Sequence, residues 1–230
     1  MFTNGNLVLY KNQAALIKEC GEKYTITYAL GSQKVREKDI CLLHKGPISS
    51  LNELSSSETD NAAAHELIER FNKTFDETWE LLQDEGEPFY TLSSLAELAF
   101  GEFSARQAFF IYDVLIKHPK FCALPLQAPE EPRFGLRSAE EAQKELEKQN
   151  EKNREKEERA AFIERLRRKK LLLPQDGIFM GEVEALALGK TDKSKVMQEA
   201  GFSVSEEKAH KLLLDCGLWT IYRNPYPSRR

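Results

Sequence analysis

The chain has 230 residues, 41% hydrophobic and 30% charged, enough for one large domain or two to three small ones with a sizeable core. A formal net charge of −4 argues against the whole-chain basic footprint of a dedicated duplex-DNA binder. No run approaches the roughly 18 apolar residues of a membrane span, and MFTNGNLVLYKN lacks the charged start and apolar centre of a secretory leader, so no membrane partner and a cytoplasmic location are expected. Cys20, Cys41, Cys122 and Cys216 lie far apart, with no CxxC and no nearby histidine at a zinc spacing, and read as reduced core thiols.

The charge is unevenly spread. Residues 1–46 carry seven Lys and Arg against four acids, whereas residues 47–88 carry two against eleven. From Leu7 to Leu43 short apolar runs alternate with turns: LVLY, a break at Lys11-Asn12, AALIKEC, a turn near Gly21, KYTITYAL, a turn at Gly31-Ser32, QKVR and DICLL. Five short strands in so few residues predict a small SH3-like β-barrel over 1–46, since closure removes exposed edges. Its lysines and arginine, Lys11, Lys18, Lys23, Lys34, Arg36 and Lys38, interleave with Tyr10, Tyr24 and Tyr28. That pattern suits phosphate contact and base stacking; it equally suits half-buried strand tyrosines with lysines guarding the edges.

Residues 47–61 read as a polar, Ser- and acid-rich linker. Leu67, Phe71, Phe75, Trp79 and Leu82 then recur at helical spacing, and Gly86 and Pro88 end that helix. Thr91 caps LSSLAELAF, Gly101 to Ser104 turns the chain into ARQAFFIYDVLIKH, and FCALPL and RFGLR supply two strands. Residues 62–137 therefore predict a winged helix-turn-helix unit, whose second helix is richer in Phe and Ile than in base-reading Arg, Asn or Gln.

Ser138 caps a charged helix over 138–173, a spacer about 50 Å long at 1.5 Å per residue. Its row through Gln149, Asn153 and Lys156 is polar, so a coiled-coil seam is absent and a monomer is expected. The helix ends in Arg165, Arg167, Arg168, Lys169 and Lys170, placed to meet phosphate or to favour the helix C-terminal dipole. Residues 174–230 form a second small helical unit with Leu186, Val196, Met197, Phe202, Ala209, Leu212 and Leu213 as core, Ser205 as cap and Gly217 as stop. The fold class expected for the whole is α+β and multi-domain. An extended arm follows, with Trp219, Tyr222, Pro225, Tyr226 and Pro227, because Asn224 and Tyr226 each precede a proline.

YTLSSLAELAFGEFSARQAFFIYDVL, then GEVEALALGK, EAGF, AHKLLLDCGLW and NPYP, taken in order, resemble the helix-turn-helix region and the approach to the catalytic domain of bacterial ribonuclease II and ribonuclease R type exoribonucleases. The resemblance spans most of residues 90–230 and, more weakly, the barrel. It implies the non-catalytic N-terminal region of a 3′-to-5′ exoribonuclease, with the arm leading into a catalytic domain that uses magnesium. In that reading the partners are single-stranded RNA, bound weakly through Lys11, Lys23, Tyr24, Tyr28, Lys34, Arg36, Lys38 and the Arg165 to Lys170 cluster, and the downstream catalytic domain. The family's closely spaced aspartates have no counterpart, since the chain holds no Asp-Asp pair, P-loop, GxGxxG or GxSxG. No catalytic residue, metal ligand or cofactor is therefore assigned to this chain. Two other classes remain: a stand-alone winged-helix regulator that binds DNA and dimerises through the charged helix, and a protein-interaction scaffold.

Overall fold

Lys11 and Asn12 adopt left-handed backbone angles, φ 49° and 61°, and so close a two-residue turn whose twist matches the strands on either side. Those strands are β1 (Leu7–Tyr10) and β2 (Gln13–Glu19), paired from Leu7↔Leu16 to Tyr10↔Gln13. This computed structural model describes residues 2–54, 62–170 and 175–223. β3 (Tyr24–Tyr28), β4 (Gly31–Val35) and β5 (Cys41–His44) complete an antiparallel sheet of order β4-β3-β2-β1-β5, with a 3₁₀ turn at Glu37–Asp39 ahead of β5. The turn expected at Gly31-Ser32 falls instead on Ala29-Leu30. Gly31 already pairs with Tyr28, so the hairpin tip is one step earlier.

The inner strand β1, between β2 and β5, is buried on both sides, which decides how the sheet is used. Val8 and Tyr10 join Phe2, Ala15, Ile17, Tyr24, Ile26, Val35 and Ile40 in a core on one face of the sheet. Leu7 and Leu9, on the alternate face, join Leu16, Cys41 and Leu43 in a second core shared with the helices that follow.

Those helices begin with α1 (Ala62–Leu82), where Phe71, Phe75, Trp79 and Leu82 are buried at the expected spacing. Trp79 donates its indole N–H to the Arg137 carbonyl at 3.1 Å. β6 (Tyr90–Thr91) leads into α2 (Leu92–Phe100), capped by Thr91 and closed by Gly101 at φ 74°. α3 (Ala108–Lys117), β7 (Phe121–Ala123) and β8 (Arg133–Leu136) follow, and the second sheet has the order β6-β8-β7. Both sheets serve one core: the Leu42 amide donates to the Pro129 carbonyl at 3.3 Å, and the His44 ring meets Phe103 at 5.0 Å. The Gly46 amide donates to His44 Nδ1 at 2.9 Å, so Nε2 carries the proton it gives to the Phe103 carbonyl at 3.1 Å.

α4 (Ala139–Arg167) is a single helix of 29 residues, started by a reciprocal Ser138/Glu141 capping box. The chain divides into two compact units, 1–146 and 147–230, and α4 begins in the first and ends in the second. Residues 147–158 are exposed apart from half-buried Gln149, because no apolar side chain occurs among them. At its far end Phe162, Ile163 and Leu166 are buried again. The helix stops in a reversal at Lys169, φ 54°, where the Lys170 amide reaches back to the Arg165 carbonyl and the Lys169 amide to that of Leu166.

In the second unit α5 (Asp176–Phe179), α6 (Gly181–Ala187), α7 (Lys195–Glu199) and α8 (Glu206–Asp215) wrap a core of Val183, Leu186, Val196, Met197, Ala209, Leu212 and Leu213. Ser194 and Ser205 cap α7 and α8. All four cysteines are free thiols, but Cys20 is exposed rather than in a core, since it lies in the loop beyond β2. Among the described residues no helix is long and apolar enough to cross a membrane.

Candidate nucleic-acid interface

The register of the first sheet separates the basic residues expected to meet RNA. Tyr24 pairs with Val35, which sets Lys23 across from Arg36, with Lys34 and Lys38 nearby in sequence. Lys11, in the β1–β2 turn, is at the opposite end of β2, separated from Lys23 by the whole length of that seven-residue strand. Its ammonium stands 5.2 Å from the Tyr10 ring, and Arg36 is paired with Asp39 at 3.2 Å. Tyr24 is 8% exposed and packs edge-on against Phe2, so its ring is core material; Tyr28 is half-buried against Tyr10.

The cluster at the end of α4 is largely occupied by the protein's own acceptors. Arg165 grips the buried Asp176 carboxylate with two nitrogens, at 3.1 and 2.5 Å, and these hydrogen bonds raise the guanidinium's already high pKa. Arg167 donates to the Glu199 carbonyl at 2.8 Å, and Arg168 pairs with Glu164 at 2.8 Å. The Glu199 carboxylate is taken by Arg159 through two further bonds, which hold it below the usual carboxylate range. Lys169 reaches Asp215 at 2.5 Å, and its hydrogen bond depresses that carboxyl in the same way. Lys170 is exposed.

Of the expected arm, Trp219 belongs to the core of the second unit. It is 3% exposed, donates its indole N–H to Glu184 at 2.9 Å, faces the His210 ring at 5.6 Å and carries the Arg223 guanidinium at 4.2 Å. Tyr222, at 89% exposure, projects outward. Pro225, Tyr226 and Pro227 lie outside the described residues. Among the described residues no three His, Cys, Asp or Glu side chains converge so as to hold a metal ion.

The α3 helix offers little to a nucleic acid. Ala108, Phe110, Ile111, Tyr112, Val114 and Leu115, six of its ten residues, are buried against the two sheets and α1. The α7–α8 segment is different. Gly201 turns the chain at φ 79°, and α8 then buries Ala209, Leu212 and Leu213 while Glu207, Lys208, Lys211 and Asp215 face outward. Lys208 and Lys211 were not among the residues singled out by charge density. Their signal is spacing, three apart and on the opposite side from the apolar stripe behind the Ser205 cap. They line a cleft of about 280 Å³ with Lys169, Phe202 and Ser203.

Residues 140–225, covering nearly all of α4 and the whole of α5 to α8, match the family model of the double HTH domain named for RNase II. Through this one domain the chain is linked to RNase II and RNase R type exoribonucleases, and residues 140–225 constitute a helix-turn-helix domain. The match covers less than half of the chain. Searches among curated proteins and among solved structures found no match.

Proposed function

We propose that this chain is an RNA-engaging accessory region of a ribonuclease II type exoribonuclease, acting in the cytoplasm to deliver single-stranded RNA to a magnesium-dependent catalytic domain joined after it. The observation that carries the reading is the 140–225 match, in which a helix-turn-helix presents basic residues from α8. In the first unit, five short antiparallel strands around an internal apolar cluster support an SH3-like barrel. The order α1-β6-α2-α3-β7-β8 with sheet order β6-β8-β7 supports a winged helix, with residues 124–132 as the wing. The burial of α3 favours a packing role for that unit over sequence reading in duplex DNA.

The test is fluorescence anisotropy of a labelled single-stranded RNA and of a DNA duplex, measured across salt concentrations. Weak RNA binding is expected, with log affinity falling by about 0.7 per log salt for each phosphate engaged. Replacing Lys23, Lys34, Arg36 and Lys38 with Glu weakens it if the barrel contributes. Tighter binding to the DNA duplex than to RNA overturns the reading, as does chelator-sensitive degradation of the RNA by the pure chain.

A further inference from the structure

Several basic side chains of the second unit are tied to carboxylates. Arg159, Arg165, Arg168 and Lys169 each have a carboxylate partner. Lys208 and Lys211 have none within ion-pair distance among the described residues, although both border the same cleft as Lys169. Three ammonium groups therefore share that cleft with one carboxylate, Asp215, already bonded to Lys169, on a chain whose net charge is −4. The local field is positive against the average of the molecule, which suits an anion.

We propose that this cleft is a site for one nucleotide of single-stranded RNA. The phosphate lies between Lys208 and Lys211, with Lys169 within the same cleft, and the base rests on the half-buried Phe202 ring. Three features select this ligand. At about 280 Å³ the cleft falls just below the roughly 300–1,000 Å³ range of ligand sites, so it takes a single unit and not a duplex. An aromatic face beside paired cations is the combination that binds single strands by stacking and charge. The exposed face of α8, Glu207, Lys208, Lys211 and Asp215, offers no Asn or Gln with which to read adenine edges in a major groove.

This inference rests on the RNA reading above, and its test keeps the two separable. Amide shifts of the full, isotopically labelled chain are followed on adding uridine 5′-monophosphate, inorganic phosphate or uridine. Gly201, Ser203 and Lys211 should move with the nucleotide, less with phosphate and least with uridine. In anisotropy with an oligouridylate, the double variant Lys208→Glu, Lys211→Glu should lose about tenfold or more in affinity, with a salt slope shallower by about 0.7 for the one phosphate no longer engaged. Phe202→Leu should lose roughly fivefold, the lower end for one stacked base, with the slope unchanged. Lys193→Glu, on the α6–α7 loop, should leave both unaltered. If the double variant keeps its melting curve and still binds RNA with the original affinity and slope, the cleft proposal falls while the RNA reading stands. If the full chain binds no RNA, both fall. Displacement by an acidic peptide with no response to the nucleotide overturns the proposal in favour of a protein partner.

Discussion

The segments α2–α3 and α7–α8 share one local pattern. In each, a short helix ends at a left-handed glycine, Gly101 or Gly201, and a second helix of ten residues follows. Their second helices nonetheless meet opposite fates. α3 serves two sheets and α1 at once and buries six of its residues, whereas α8 packs chiefly on α6 and buries three. A second helix keeps an exposed face only where its neighbours leave one, and that is settled by how many of them it must satisfy.

The largest effects that can break this comparison come from the cores. Phe110→Ala in α3 removes a ring that is 1% exposed and should cost about 3–5 kcal/mol. Trp219→Ala should cost a similar amount, about 3–5 kcal/mol, because the indole is core to the second unit rather than part of a free arm. Urea unfolding checks both, and a loss below about 1 kcal/mol at Phe110 ends the claim that α3 is a packing element.

A smaller loss is expected for Asp176→Ala, which leaves Arg165 beside the core without its carboxylate. The melting temperature should fall, and Arg165→Met with Asp176→Leu should recover part of it. No fall in Asp176→Ala means that the pair does not tie α4 to α5.

The first unit should also carry an acid sensitivity through His118. Burial pushes its imidazole below the ordinary value, against the opposing pull of Asp76 and the Asn72 carbonyl. The Lys120 amide donates to Nδ1 at 3.3 Å, which fits a neutral ring with its proton on Nε2. Because the folded pKa is depressed, the unfolded chain takes up the proton first as pH falls below about 6.5, and stability present above that pH is lost. His118→Gln should flatten the melting temperature between about pH 7 and pH 5. An unchanged slope assigns the acid sensitivity to other groups. The smallest effect expected is for Tyr222→Ala, within about 0.5 kcal/mol, since that ring is 89% exposed. A larger loss would show that the segment after Trp219 is bound to the fold.

Much of the fold was legible because its signals are local. Lys11-Asn12 announced a hairpin, and Phe71, Phe75, Trp79 and Leu82 marked the buried face of α1. The core of the second unit was also read from spacing, with Phe202 at its half-buried edge. Tertiary partners were not legible. Nothing in the run Arg165 to Lys170 reveals that Asp176, Glu199 and Asp215 will take up three of its bases. Tyr24 reads as a stacking residue until Phe2 folds over it, and Trp219 as an arm until Glu184 and His210 meet it. Lys208 and Lys211 were passed over because local charge density ranks a run of bases above two cations on a helix face.

The reversal at the end of α4 sets two selective demands against each other. Lys169 occupies a left-handed position where glycine is free of the roughly 1–2 kcal/mol steric cost that an L side chain meets. Lys169→Gly should therefore relieve the backbone and raise the melting temperature, while removing an ammonium from the cleft beside α8. A more stable protein that holds RNA less well would mark residue 169 as a point where durability has been given up for charge.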